Sequence, residues 1–238
     1  MDPVLTSLKE ELKDAIDDKT QNSIQRFFKE PIIAYGSKSA DVSRIAKKYW
    51  KIVKERDKQE IFNLCEELYQ SGYLEESGIV SSWVPHLKEK FEPDDIIRFR
   101  FWINNYITNW AACDSFCNHS VGDFIEKYPE YIRELKEWAQ SENRWMRRAS
   151  AVSLIIPAKQ GKYLEDVFDI ADLLLTDDDD MVRKGYGWLL KEASRKHQDE
   201  VFSYVMAHKK EMPRTALRYA IELMPPEIRS EAMKKDWK

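Results

Sequence analysis

Trp110 and Asp114 stand four residues apart in the stretch Asn109-Trp110-Ala111-Ala112-Cys113-Asp114-Ser115-Phe116. On a helix, residues i and i+4 share one face. An indole offers an electron-rich ring face to a cation, and a carboxylate offers full negative charge to a developing positive centre. The pair therefore suits a cationic ligand or a cationic transition state. A plainer explanation fits the same spacing. Trp102, Tyr106, Trp110 and Asp114 recur every four residues, so an unbroken helix carries them as one aromatic stripe into the core, with Asp114 a hydrogen-bonded buried acid. Thr108 is placed to cap a fresh helix and break that stripe. The pattern leaves both open.

A second group lies further along. Trp145 and Arg148 are i, i+3 on one predicted helix, and Tyr186, Gly187 and Trp188 fall on another. Trp145 is flanked by Arg144, Arg147 and Arg148, and aromatics interleaved with basic residues suit a nucleic-acid surface. Three helices open alike, with Met146-Arg147-Arg148-Ala149, Val182-Arg183-Lys184-Gly185 and Pro213-Arg214-Thr215-Ala216. Arg147, Arg183 and Arg214 are separated by 36 and 31 residues, and each is followed two positions later by a small residue. That period fits stacked helix pairs of the HEAT or armadillo type, with the small residue letting helices approach. Arginines near helix N-termini can hold phosphate, because unpaired N–H groups and the helix dipole favour anions there. Alternatively they pair with the abundant Asp and Glu of neighbouring helices.

The elements that must position these groups are all helical. Apolar residues run with helical period from end to end, and no strand-rich region or glycine-rich phosphate loop interrupts them. The periodicity predicts helices over 3–16, 20–29, 39–54, 57–71, 73–90, 93–106, 108–127, 130–140, 144–156, 163–175, 179–197, 199–210, 213–224 and 226–235. Pro93, Pro129, Pro157, Pro213 and the Pro225-Pro226 pair mark breaks and starts. Thr176 and the run Asp177 to Asp180 read as a helix cap with acids at the positive dipole end. No Gly-, Pro- or Ser-rich linker divides the chain. The expectation is an all-α superhelical solenoid in a single domain, 1–238.

Composition narrows the function. Of 238 residues, 34% are charged, but the signs are interspersed and the net charge is −4, so a nucleic-acid site must be a local basic patch. No apolar run is long enough to span a bilayer, and the N-terminus lacks signal-peptide form, so no membrane partner is expected. Cys65, Cys113 and Cys117 make no disulfide framework, which suggests a reduced, cytoplasmic compartment, at the nucleoid if the source is prokaryotic. Cys113, Cys117 and His119 sit close in sequence, but a structural zinc site needs four ligands, and His86, His197 and His208 are scattered. No metal is expected, and no base is assigned to either thiol for nucleophilic work.

These residues together resemble the AlkD family of DNA alkylation repair proteins, built from HEAT-like repeats. The resemblance is carried by Asn109 to Cys117, by Asn143-Arg144-Trp145-Met146-Arg147-Arg148-Ala149-Ser150-Ala151, and by Val182 to Glu192. Arg214-Thr215-Ala216-Leu217-Arg218-Tyr219-Ala220-Ile221-Glu222 has the same flavour. The resemblance spans roughly four-fifths of the chain, with a repeat core over 31–224 and N-terminal helices of unassigned role over 1–30. It implies a DNA glycosylase that hydrolyses the N-glycosidic bond of N3- and N7-alkylated purines without pulling the base into a protein pocket. It implies Trp110, Asp114, Arg148 and Trp188 as catalytic residues, no cofactor, and damaged double-stranded DNA as partner. Arg147, Arg148, Trp145, Arg183, Lys184 and Arg214 are the expected DNA contacts. Where many relatives carry a second acidic residue after the first tryptophan, this chain has Ala111. Two other functions fit the same helices: a non-catalytic binder of distorted or branched DNA, and a protein-interaction solenoid.

Overall fold

The structure, a computed structural model, describes residues 2–235. It is all-α: no strand forms among the described residues, and only two isolated β-bridges occur, Ile16 with Ser37 and Ile33 with Tyr73. The chain divides into two compact units, Met1–Phe116 and Cys117–Lys238.

The first unit contains α1 (Pro3–Asp14), α2 (Asp18–Ser23), α3 (Ser39–Val53), α4 (Lys58–Gln70), α5 (Leu74–Trp83), α6 (Asp95–Tyr106) and α7 (Trp110–Phe116). One row of helices packs in sequence, α1 on α3, α3 on α5 and α5 on α7. A second row is formed by α4 and α6, with α4 also packed on α5. This two-row stacking is what helix-pair repeats produce, because each pair buries its apolar face only against its neighbours. The core is aromatic: Phe62, Tyr69, Phe99, Trp102 and Phe116 meet mostly edge-to-face with ring centroids 5.4–6.1 Å apart. Trp83 and Trp102 are fully buried and spend their N–H groups on Ala46 O (3.0 Å) and Glu66 Oε2 (3.1 Å).

A buried carboxylate ties the segment before α3 to α5. Glu75 accepts from the backbone N–H groups of Tyr35 (3.0 Å), Gly36 (2.8 Å) and Ser37 (3.2 Å). Its neighbour Glu76 accepts from Tyr35 Oη at 2.6 Å and pairs with Lys9. The phenol is buried beside that carboxylate, and both effects hold its pKa well above the ordinary tyrosine value.

The second unit contains α8 (Gly122–Lys127), α9 (Ile132–Trp138), α10 (Arg144–Val152), α11 (Ile155–Lys159), α12 (Leu164–Leu173), α13 (Asp180–Ala193), α14 (Gln198–His208), α15 (Arg214–Ala220) and α16 (Pro226–Met233). The three helices with matching openings form one row: α10 packs on α13 and α13 on α15. In the other row α9 packs on α12 and α14 on α16. The small residues act as expected at these contacts. Ala149 and Ala216 are fully buried, and Gly185 lies against the Arg148 stem. The tightest approach is at Gly187, where a Cβ would lie 2.8 Å from Ala216 O and 2.8 Å from Tyr219 Cβ.

Most predicted helices fall within a few residues of those observed, and the differences have local causes. The segment 20–29 is helical only to Ser23 and then tightens to a 3-10 turn, Ile24–Phe27. Ser23 Oγ returns to Lys19 O at 2.8 Å, which competes with continuing the helix. Helix 73–90 stops at Trp83 and becomes 3-10 over Val84–Lys90, because Pro85 lacks the N–H needed by an α turn. Helix 144–156 divides into α10 and α11, with Ser153 Oγ bonded back to Ala149 O at 2.7 Å and Pro157 four residues on. The stretch 108–127 becomes α7, a π-helical turn Cys117–Val121, and α8.

Candidate functional site

The helix carrying Trp110 and Asp114 starts afresh. α6 ends at Tyr106, and Asn109 caps α7 through its side chain, which accepts from Ala112 N at 2.9 Å. The break comes where the sequence suggests, but the cap is Asn109 rather than Thr108. The stripe is thereby divided. Trp102 stays in the core, whereas Trp110 and Asp114, in the first two turns of α7, are each only half-buried. Asp114 is the single carboxylate on that helix.

Trp110 is held in place from far away in the sequence. Its Nε1 donates to Phe27 O at 3.1 Å, and its ring stacks on Phe28 with centroids 5.5 Å apart and planes 23° from parallel. Sequence reasoning missed this contact, which spans 83 residues. The available signal was the adjacent pair Phe27-Phe28, in a segment with no core-forming period.

A groove of about 320 Å³ opens beside the pair, on the neighbouring face of α7. Ala111 and Ser115 form its α7 wall, Gly78, Ser81 and Ser82 its α5 wall, and Ser39 and Ser43 its α3 wall. Residues one position along a helix lie roughly 100° apart around the axis, so the groove adjoins Trp110 and Asp114 without being lined by them. Such small residues carry no spacing signature that would mark a groove in advance.

In the second unit Arg148 and Trp188 stand on packed helices. Arg148, on α10, is 5% exposed and donates through Nη1 to Met181 O in the first turn of α13. Gly185 lies beside its stem, where a Cβ would make an ordinary contact 3.4 Å from Arg148 Cγ. Trp188, on α13, is half-buried and donates to Glu192 Oε1 at 3.3 Å. Glu192 in turn accepts from Arg195 Nε at 2.6 Å.

The other basic residues are largely engaged with their own chain. Arg147 bonds Asp177 at 2.6 Å and the carbonyls of Ser141 (3.0 Å) and Glu142 (2.9 Å), clasping the loops that precede α10 and α13. Arg183 donates to Asp177 O, and Lys184 pairs with Asp180 at 2.8 Å. Arg144 pairs with Asp179 and lies over the Trp145 ring, 4.5 Å from its centroid. Trp145 itself is 6% exposed, so it offers little ring surface for stacking. Arg214 donates through Nη2 to Met233 O at 3.0 Å, while its Nη1 is buried without a hydrogen-bond partner. The aspartate run therefore does more than cap a helix. Asp179 caps α13 through Met181 N (2.7 Å), while Asp177, Asp179 and Asp180 pair with Arg147, Arg144 and Lys184.

None of the three cysteines forms a disulfide and all are buried, and burial pushes the Cys65 thiol well above its ordinary pKa. Among the described residues no cluster of three or more His, Cys, Asp or Glu is arranged to hold a metal ion. No helix among them is long and apolar enough to cross a membrane.

Comparison with known proteins shows the family and the fold. A family model described as DNA alkylation repair enzyme matches residues 8–224. Among solved structures, the fold is similar to a predicted DNA alkylation repair enzyme from Enterococcus faecalis, with TM-score 0.79, 14% identity, and coverage of 89% of this chain and 97% of that one. It is also similar to AlkD2 from Streptococcus mutans, with TM-score 0.64, 20% identity, and coverage of 92% and 98%. A third similar structure is the alkylpurine DNA glycosylase AlkC of Pseudomonas fluorescens bound to DNA containing an abasic site analog, with TM-score 0.51, 18% identity, and coverage of 92% and 61%. No curated protein sequence matches the chain.

Proposed function

Because the chain belongs to the DNA alkylation repair enzyme family, we propose that it hydrolyses the N-glycosidic bond of N3- and N7-alkylated purines in double-stranded DNA. The observation that carries this is the fresh start of α7, which takes Trp110 and Asp114 out of the core stripe and leaves both partly open.

The chemistry fits those two groups. An alkylated purine already carries positive charge, so the sugar–nitrogen bond breaks with its electrons going to the base, and no strong general acid is needed. The sugar gains oxocarbenium character as the base departs. Asp114 stabilises that charge and orients the attacking water, whose proton it accepts as the new carbon–oxygen bond forms. The products are the neutral alkylpurine and an abasic site. Trp110 attracts the cation through its ring face, and Trp188 is the candidate of the second unit for the same task. Arg148, which is 5% exposed and holds Met181 O, is the residue we assign to a neighbouring phosphate. The test is release of 7-methylguanine or 3-methyladenine from methylated duplex DNA by the purified protein. Folded protein that binds DNA yet releases no base above a buffer control excludes the activity.

Within the arginine row we assign two roles. Arg147 has its donors engaged by Asp177 and two carbonyls, whereas half-buried Arg183 commits its Nε to Asp177 O. Arg183→Ala should flatten the dependence of log affinity on log salt by about 0.9, the value for one lost phosphate contact. Arg147→Ala should leave that slope unchanged and lower the melting temperature. Anisotropy titrations at several salt concentrations, with melts of both variants, give the answer. A slope change for Arg147→Ala alone would reverse the assignment.

A further inference from the structure

Residues 16–34, between α1 and α3, are held at both ends and braced inside, yet none of them is buried. At its start Asp17 N donates to Gly36 O (3.1 Å), and the Asp17 carboxylate accepts from Thr20 N (2.9 Å) and pairs with Lys38 (2.9 Å). Gly36 is required there. Its φ is 91°, and a Cβ would lie 2.4 Å from Gln21 Cβ. At its end Leu74 N donates to Ile33 O at 2.9 Å. Between them the Gln25 side chain bridges the turn, donating to Glu30 O (2.9 Å) and accepting from Ile32 N (3.2 Å). Neither α2 nor the 3-10 turn buries a residue, and Phe27 is 70% exposed. A segment ordered this way without core burial has some other task. Through Phe27 O and the Phe28 ring it reaches Trp110, 83 residues on from Phe27.

We propose that the Ile24–Phe28 turn is a positioning element for Trp110, with Phe28 as a positioning residue that acts through the indole. This rests on the glycosylase function proposed above. Trp110 occupies the first position of a helix and is half-buried, so its own helix does little to fix its ring. Phe27 O fixes the indole edge by a directional hydrogen bond, and Phe28 backs one ring face at a stacking distance. One face is thereby occupied and the ring is set in a single orientation, which leaves the opposite face for a cation. A preorganised ring loses less rotamer freedom when the cation arrives. The turn thus gives residues 17–33 a role: they hold a tool of the site from outside the repeat stack.

A double-mutant cycle on the full chain tests this, using single-turnover base release from methylated duplex DNA. Phe28→Ala should slow release roughly tenfold while changing DNA affinity less than about twofold, and Phe28→Tyr should restore the rate. In a Trp110→Ala background, Phe28→Ala should add nothing. Equal slowing in both backgrounds overturns the proposal, as does an unchanged rate in the single variant. A spectroscopic arm separates this from failure of the glycosylase function. The emission difference between wild type and Trp110→Phe isolates Trp110, and the same difference taken on Phe28→Ala should be red-shifted and more readily quenched by iodide. If wild type releases no base, the catalytic function fails, and an unchanged Trp110 spectrum then also overturns the positioning role. Because the turn buries no residue, the melting temperature of Phe28→Ala should match wild type, so loss of folding does not confuse the result.

Discussion

Asp114→Asn is expected to slow release of cationic purines by two to three orders of magnitude while leaving fold and DNA affinity nearly intact. The substitution keeps shape and removes the charge. Unit charges about 4 Å apart at an effective dielectric of about 20 interact by roughly 4 kcal/mol, and each 1.36 kcal/mol of barrier is about tenfold in rate. Losing stabilisation of the oxocarbenium charge, with some compensation by the amide dipole, therefore places the effect near 10²–10³-fold, on the order seen when one preorganised group is removed from a charge-stabilising site. No second acid on α7 can take over, because Asp114 is its single carboxylate and the position after Trp110 is Ala111. The side chain is half-buried and sits on a helix capped by Asn109, so the isosteric amide leaves α7 in place. Rates of 7-methylguanine release, measured with enzyme in excess over DNA, decide the matter. Release by Asp114→Asn within a few-fold of wild type would falsify the catalytic role of this carboxylate.

The second large effect is on stability, at Gly187. A Cβ there meets the backbone of α15, 2.8 Å from Ala216 O and 3.1 Å from Ala216 Cα, and it also meets Tyr219 Cβ at 2.8 Å. Backbone cannot rotate aside, so α13 and α15 must separate. Overpacking of this kind costs about 1–3 kcal/mol, and alanine recovers at most about 1 kcal/mol through helix propensity. Gly187→Ala should thus be destabilised by about 1–2 kcal/mol and Gly187→Val by about 3 kcal/mol or more. At roughly 2–4 °C per kcal/mol for a chain of this size, melting temperatures should fall by a few degrees and by about ten degrees. Gly78→Ala is the control, since a Cβ there meets only Val42 Cγ1, at an ordinary 3.6 Å. It should be neutral or stabilising. A Gly187→Ala protein as stable as wild type would show that the two helices adjust freely. Trp188 follows Gly187 directly on α13, so the valine variant should also slow base release beyond what its lost stability explains.

Much of the architecture was legible because helical repeats are written locally. Each helix shows its apolar period within its own residues, and the prolines, the glycines and the Arg-x-small openings mark starts and contacts. The row formed by α10, α13 and α15 follows from those openings. What local pattern could not supply was continuity. Pro85 turns one predicted helix into an α and a 3-10 piece, another divides into two α-helices just before Pro157, and Asn109 breaks a stripe that periodicity alone would have run through. The arginine row was also visible, but not its engagement. Whether Arg147 faces a phosphate or Asp177 depends on which acid a neighbouring loop brings within 3 Å, and the sequence does not state that.

The sequence by itself determined the class of fold, the family, and a carboxylate–indole pair at helical spacing. These are short-range facts, carried by residue type and by periods of three to four positions. Only the tertiary structure decided that Trp110 leaves the core while Trp102 stays in it, that Phe27 and Phe28 hold the indole across 83 residues, and that α13 meets α15 at Gly187 with no room for a methyl group. The physical reason is common to all three. Burial, stacking and close approach belong to pairs of segments distant in the chain, and no residue carries in its own type the identity of the surface it will meet.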